Sequence, residues 1–139
     1  MGTAVYDIRR PGWADYFQLH VSGTAEEMYH RAKRIAKPLS FTGISDDDAA
    51  MVLPIYTICS DGLIAHMMLC QEYLSHGIIA HECLHVGMAR ERFLLRFGMD
   101  YGDGLTPLDN EERLAYYVGD IVELVTECLT GHQFRIKRG

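Results

Sequence analysis

A chain of 139 residues can build one domain with a real core, and is too short for two. Charged residues at 23% and apolar ones at 48% are the proportions of an ordinary globular protein, not of a disordered or fibrous one. A net charge of −6 excludes a general polyanion-binding surface, so nucleic acid is not an expected partner. The basic run Arg135-Ile-Lys-Arg138 reads as a solvated tail. No stretch approaches the roughly 20 apolar residues of a membrane span. Met1 to Trp13 carries Asp7, Arg9 and Arg10 without an apolar run, so no signal peptide is read there. Cys59, Cys70, Cys83 and Cys128 form no C-x-x-C pair and read as reduced, buried thiols in a cytoplasmic setting.

Taken in order, Met1 to Gly12 is polar with an early Pro-Gly and is expected to be an irregular lead-in. Tyr16 to Val21 alternates and predicts a strand. Thr24-x-x-Glu27 is a capping box opening a helix with the stripe Met28, Ala32 and Ile35, which Pro38 closes. The acidic run Asp46-Asp47-Asp48 reads as a helix start or solvated turn in preference to a metal site. Met51 to Cys59 and Leu63 to Cys70 predict a hairpin around Ser60-Asp61-Gly62, with Pro54 marking an edge or bulge. His66 reads first as a packed strand residue and only second as one facing a cleft. A helix is expected from His76 to Phe97 with Gly98 as its C-cap. Met99 to Leu108 reads as a loop, and a last helix capped by Asp109 or Asn110 runs to about Thr130. The methionines at 28, 67 and 68 are core filler.

The stretch His81-Glu-Cys-Leu-His85 carries the chemistry. On a helix, four residues turn the second imidazole only about 40° from the first, so both rings can share one ion. Glu82 falls about 100° away, beside that ion. From His76 to Ala89, Glu82 is the one side chain expected to be ionised, and apolar residues are spread all round, which predicts a buried helix. Two imidazoles and a carboxylate in such a helix must be paired or must hold a metal.

A catalytic zinc usually takes three protein ligands and a water. The three-histidine continuation is absent, since Met88 and Glu91 stand where its Gly and last His would be. The last helix offers Glu111 and Glu112. Glu111 falls nearer in phase to the stripe Leu114, Val118, Ile121, Val122 and Val125. Glu112 shares a face with Ala115 and Gly119, small residues that let two helices approach, and Tyr116 lies one turn on to hold its spare oxygen. Glu112 is favoured over Glu111.

The pair of motifs, His81-Glu-Cys-Leu-His85 and Glu112-Arg-Leu-Ala-Tyr-Tyr-Val-Gly119, resembles small zincin-type metallopeptidases with a glutamate third ligand, of the SprT-like, ImmA/IrrE-type and phage-encoded kind. The likeness covers about residues 63–130 of one domain spanning 1–139. It implies an α+β, minimal zincin-like fold: a small, mostly antiparallel sheet packed on the H-E-x-x-H helix, and a following helix carrying the third ligand. It implies Zn2+ held by His81, His85 and Glu112, with Glu82 as general base toward a zinc-bound water. Leu63 to Cys70 would be the edge strand receiving an extended peptide. Tyr116, Tyr117, His66 and His76 are candidates for stabilising an oxyanion, and the residues do not choose among them. The expected function is therefore a zinc metallopeptidase acting on a peptide or protein. The alternative is a non-catalytic zinc-binding structural or adaptor protein on the same fold, for example a virion component. A metal-dependent hydrolase of a non-peptide bond is a third reading.

Overall fold

The computed structural model describes residues 2–38, 44, 45, 47–55, 61–96 and 107–138, with the side chains at 95, 96 and 107–110 left aside. Among the described residues the architecture is α+β, a four-stranded mixed sheet with three helices. In chain order these are β1 (Ala4–Arg9), β2 (Tyr16–Ser22), α1 (Ala25–Ala36), β3 (Ala50–Pro54), β4 (Leu63–Cys70), a 3-10 turn (Gln71–Tyr73), α2 (His76–Arg96) and α3 (Pro107–Gly131). No helix among the described residues is long and apolar enough to cross a membrane.

The first departure from expectation is β1, which lies in the supposed lead-in. Pro11 and Gly12 do not scatter the chain; they turn it. The Trp13 amide donates to the Arg10 carbonyl at 3.1 Å, and Gly12 sits at φ +79. Proline at the second turn position and a glycine with positive φ at the third make a type II turn, which folds β1 back on β2. Ile8 is buried, while Asp7 and Arg9 keep the edge strand charged toward solvent.

The sheet order is β1-β2-β4-β3. The outer pairs are antiparallel, and β2 runs parallel to β4 through the crossover that contains α1. This corrects the expected edge: β4 is internal and β3 is the outer strand on that side. The near-continuous apolar run of β4, buried at six of its eight positions, is what a strand covered on both faces requires. Pro54 ends β3, where its missing N–H costs no ladder bond.

Alternation sorts the two faces. Phe17, Leu19 and Val21 of β2 and Ala65, Met67 and Leu69 of β4 pack with Ile79, Cys83 and Val86 of α2 and Tyr117, Ile121 and Val125 of α3. On the other face Met51, Leu53, Met68 and Cys70 meet Met28, Ala32 and Ala36 of α1. Thr24 caps α1 as expected, its Oγ1 accepting from the Glu27 amide at 3.2 Å. Cys70 and Cys83 are buried free thiols, and Cys128 is free and half-buried; Cys59, the hairpin tip at Ser60, the C-cap at Gly98 and residues 99–106 of the expected 99–108 loop lie outside the described residues, while Pro107 and Leu108 already belong to α3.

Two further ties hold the helices. Arg90 of α2 is 3% exposed, donates to Asp15 at 3.0 Å, and lies over the rings of Trp13 at 3.8 Å and Tyr117 at 4.6 Å. That arginine joins the β1–β2 turn to both α2 and α3. The C-terminal run expected to be a solvated tail is fastened through its backbone: the Lys137 amide donates to the Leu74 carbonyl, and the Lys137 carbonyl accepts from the His76 amide. Gln71 holds both the amide and the carbonyl of Arg135, while Phe134 and Ile136 rest on the core.

Candidate metal centre

Ser75 starts α2, its Oγ accepting from the Ile78 amide at 3.1 Å, so His81 and His85 fall on the second and third turns. The helix is not buried all round. His76, Ala80, His81, Leu84, His85 and Met88 form an open face, with Leu84 49% and Met88 43% exposed. The even spread of apolar residues misleads because three of them, Ala80, Leu84 and Met88, sit on the solvent side.

His81 and His85 bring their Nε2 atoms to 3.2 Å from one another, with ring centroids 4.9 Å apart. Two nitrogens each about 2.0–2.1 Å from a tetrahedral zinc stand roughly 3.3–3.4 Å apart. The pair therefore has the spacing of two ligands on one ion, and it is open to solvent. Beside it, Glu82 is only 6% exposed, its Oε1 lies 4.0 Å from His81 Nε2, and its buried Oε2 has no hydrogen-bond partner. An unpaired buried carboxylate oxygen is costly to leave without a partner. Burial raises the Glu82 carboxyl above the ordinary range; the His81 ring opposes that shift and Asp48 adds to it.

These groups line a cavity of about 280 Å³, whose other wall is Ile44, Asp48 and the β3 residues Ala50, Met51, Val52 and Leu53. Of the two readings of the acidic run, helix start or turn, Asp48 takes the turn: its amide donates to the Ser45 carbonyl, and its Oδ2 accepts from the Ser45 amide at 3.3 Å. The same residue also faces the two imidazoles. No spacing signal in the sequence reports this, because it depends on β3 packing against α2. Asp46 lies outside the described residues.

The third ligand is where the reading from spacing and the structure part. Leu114 and Val118 press on Gly87, where an added Cβ would stand 2.9 and 2.7 Å from their methyl groups. Close approach thus comes from a glycine on α2, while Ala115 and Gly119 of α3 face solvent. Glu111 and Glu112 are exposed as well. Arg113 reaches Glu91 through two hydrogen bonds of 2.6 and 3.3 Å, so this part of α3 faces α2 beyond His85. Among the described residues, no three His, Cys, Asp or Glu side chains are gathered as a ligand set.

Of the oxyanion candidates, Tyr117 is buried against Arg90, with burial foremost and Asp15 next raising its hydroxyl. Tyr116 is 71% exposed, and His76 begins α2 in solvent. His66 turns away from the cavity altogether. It lies on the α1 face of the sheet, Nδ1 3.0 Å from Nε2 of His20, whose Nδ1 accepts from Arg31 Nε at 3.4 Å. This row of nitrogen groups, with His20 buried and His66 and Arg31 half-buried, has no signature in the sequence, since its members come from β2, β4 and α1.

No protein-family model, curated protein or solved structure matches the chain.

Proposed function

We propose that this protein is a zinc-dependent peptidase with a minimal zincin-like fold, in which His81, His85 and Glu112 hold the ion. The observation that carries the proposal is the imidazole pair with nitrogens 3.2 Å apart beside a buried carboxylate whose Oε2 is unpartnered. Zinc, when bound, supplies the Lewis acidity that polarises a carbonyl and lowers the pKa of water. The chain's own part falls to Glu82, which takes a proton from the attacking water and returns it to the leaving amine. Its burial suits that role, because a raised carboxyl is a better base near neutrality. The outer strand β3 borders the cavity and, among the described residues, pairs on one side only, so an extended peptide can pair there with its amide beside the imidazoles.

The expected result is one zinc per chain, lost on His81→Ala or His85→Ala. Glu82→Gln is expected to retain the metal and to lower cleavage of an unfolded protein substrate by about 10²–10⁴-fold. A fully active Glu82→Gln protein would overturn the mechanism. The solvent-facing positions of Glu111 and Glu112 favour a second reading, a structural or adaptor protein that binds zinc without cleaving anything. In that case chelation unfolds the chain, seen as a large drop in Tm, and no substrate is cut.

A further inference from the structure

The cavity beside the imidazoles has a chemistry that metal binding does not use up. Its side walls are aliphatic, from Ile44, Ala50 and Val52, and two carboxylates face it, Asp48 and Glu82. Glu82 Oε2 is buried and unpartnered, and no Lys or Arg among the described residues pairs with either group. Ser45 holds the Asp48 carboxylate through one oxygen and so fixes it at the cavity wall. A space of about 280 Å³ is at the small end for a ligand site, room for one long side chain. An apolar sleeve with a fixed anion suits a methylene stem that ends in a cation.

We propose that this cavity is a subsite for a lysine or arginine side chain of the peptide substrate, with Asp48 pairing the cation and Ile44, Ala50 and Val52 enclosing the stem. The inference rests on the reading of this cavity as the peptide site. Charge accounting supports it. Asp48 has no Lys or Arg partner among the described residues, and a basic side chain supplies one. A neutral side chain leaves Asp48 unpaired beneath it, and an acidic one adds repulsion, so the discrimination is built from attraction and rejection together.

The test is binding, not turnover. Zinc-loaded Glu82→Gln protein is titrated with fluorescent peptides that differ at one residue: lysine, arginine, norleucine or glutamate. Lysine and arginine peptides are expected to bind about tenfold tighter than norleucine, the worth of one charge-assisted hydrogen bond. Adding Asp48→Asn should bring the lysine, arginine and norleucine peptides to within about twofold of one another while leaving the zinc content unchanged. Equal binding of lysine and norleucine, a basic preference that survives Asp48→Asn, or no peptide binding at all overturns the subsite. Cleavage by the native enzyme without basic preference sinks the subsite and leaves the peptidase reading standing. Selective binding without any cleavage does the reverse.

Discussion

His20 shows what a single buried side chain costs when the groups against it are a second imidazole and a guanidinium. It is 1% exposed, its neighbours are His66 and Arg31, and burial first, then those two groups, lower its pKa from 6.5 to about 3. Because Arg31 donates to Nδ1, the ring proton sits on Nε2 and is shared with His66 Nδ1, a neutral arrangement that further protonation breaks. Between pH 6.5 and 3 the unfolded chain therefore binds a proton that the folded chain refuses. Stability is complete above 6.5 and declines as the pH falls toward 3, by up to about 1.4 kcal/mol per pH unit from this residue. Urea unfolding at a series of pH values should show that slope, and His20→Gln should flatten it. A slope unchanged in the variant would assign the acid sensitivity elsewhere. At this scale the imidazole spacing of His81 and His85 was legible from four intervening bonds of helix geometry. The partners of His20 and the position of Asp48 were not, because each depends on strands distant in sequence.

Helix α2 was legible in its limits and wrong in its surroundings. The expected start at His76 is the observed one, because the Ser75 cap acts locally, and the helix runs through to Arg96, with Phe97 outside the described residues. Which side faces α3 could not be read from composition, since Leu84 and Met88 look like core residues and are not. The choice of Glu112 over Glu111 leaned on small residues of α3, yet the small residue at the contact is Gly87 of α2. Gly87→Ala tests that contact. Helix propensity gains up to about 1 kcal/mol from the change, while forcing a methyl against Val118 and Leu114 costs about 1–3 kcal/mol. A net loss of about 1 kcal/mol is expected by urea denaturation, and a second change, Val118→Ala, should remove most of the clash. A stabilised Gly87→Ala single variant would mean that the two helices sit farther apart.

For the molecule as a whole, the α+β class implied by the resemblance is the one observed, but the sheet order was not legible. Hydrophobic alternation reports which strands are buried, and the near-continuous apolar run of β4 marks it as covered on both faces; neither signal states which strand lies beside which. The Pro-Gly at residues 11 and 12 held the missing clue to β1, since that pair specifies a turn as readily as it punctuates a loop. The fastened C-terminal segment gives a prediction at this scale. Removing residues 134–138 uncovers the start of α2 and the partly buried Phe134 and Ile136 sites, and should lower stability by about 2 kcal/mol. Thermal melts of the shortened and full chains measure it, and an unchanged Tm would show that the segment contributes nothing.

The parallel pairing of β2 with β4 has a kinetic meaning. Those neighbours are joined only after α1, β3 and the turn beyond it have been traversed, so the centre of the sheet closes a long loop before its contacts repay the lost freedom. The β1–β2 and β3–β4 hairpins close much shorter loops and can form early, leaving their union as the slow event of refolding. The imidazoles and Asp48 lie on the β3–β4 side of that seam, so in a refolding chain their mutual arrangement can arise before the first hairpin has docked.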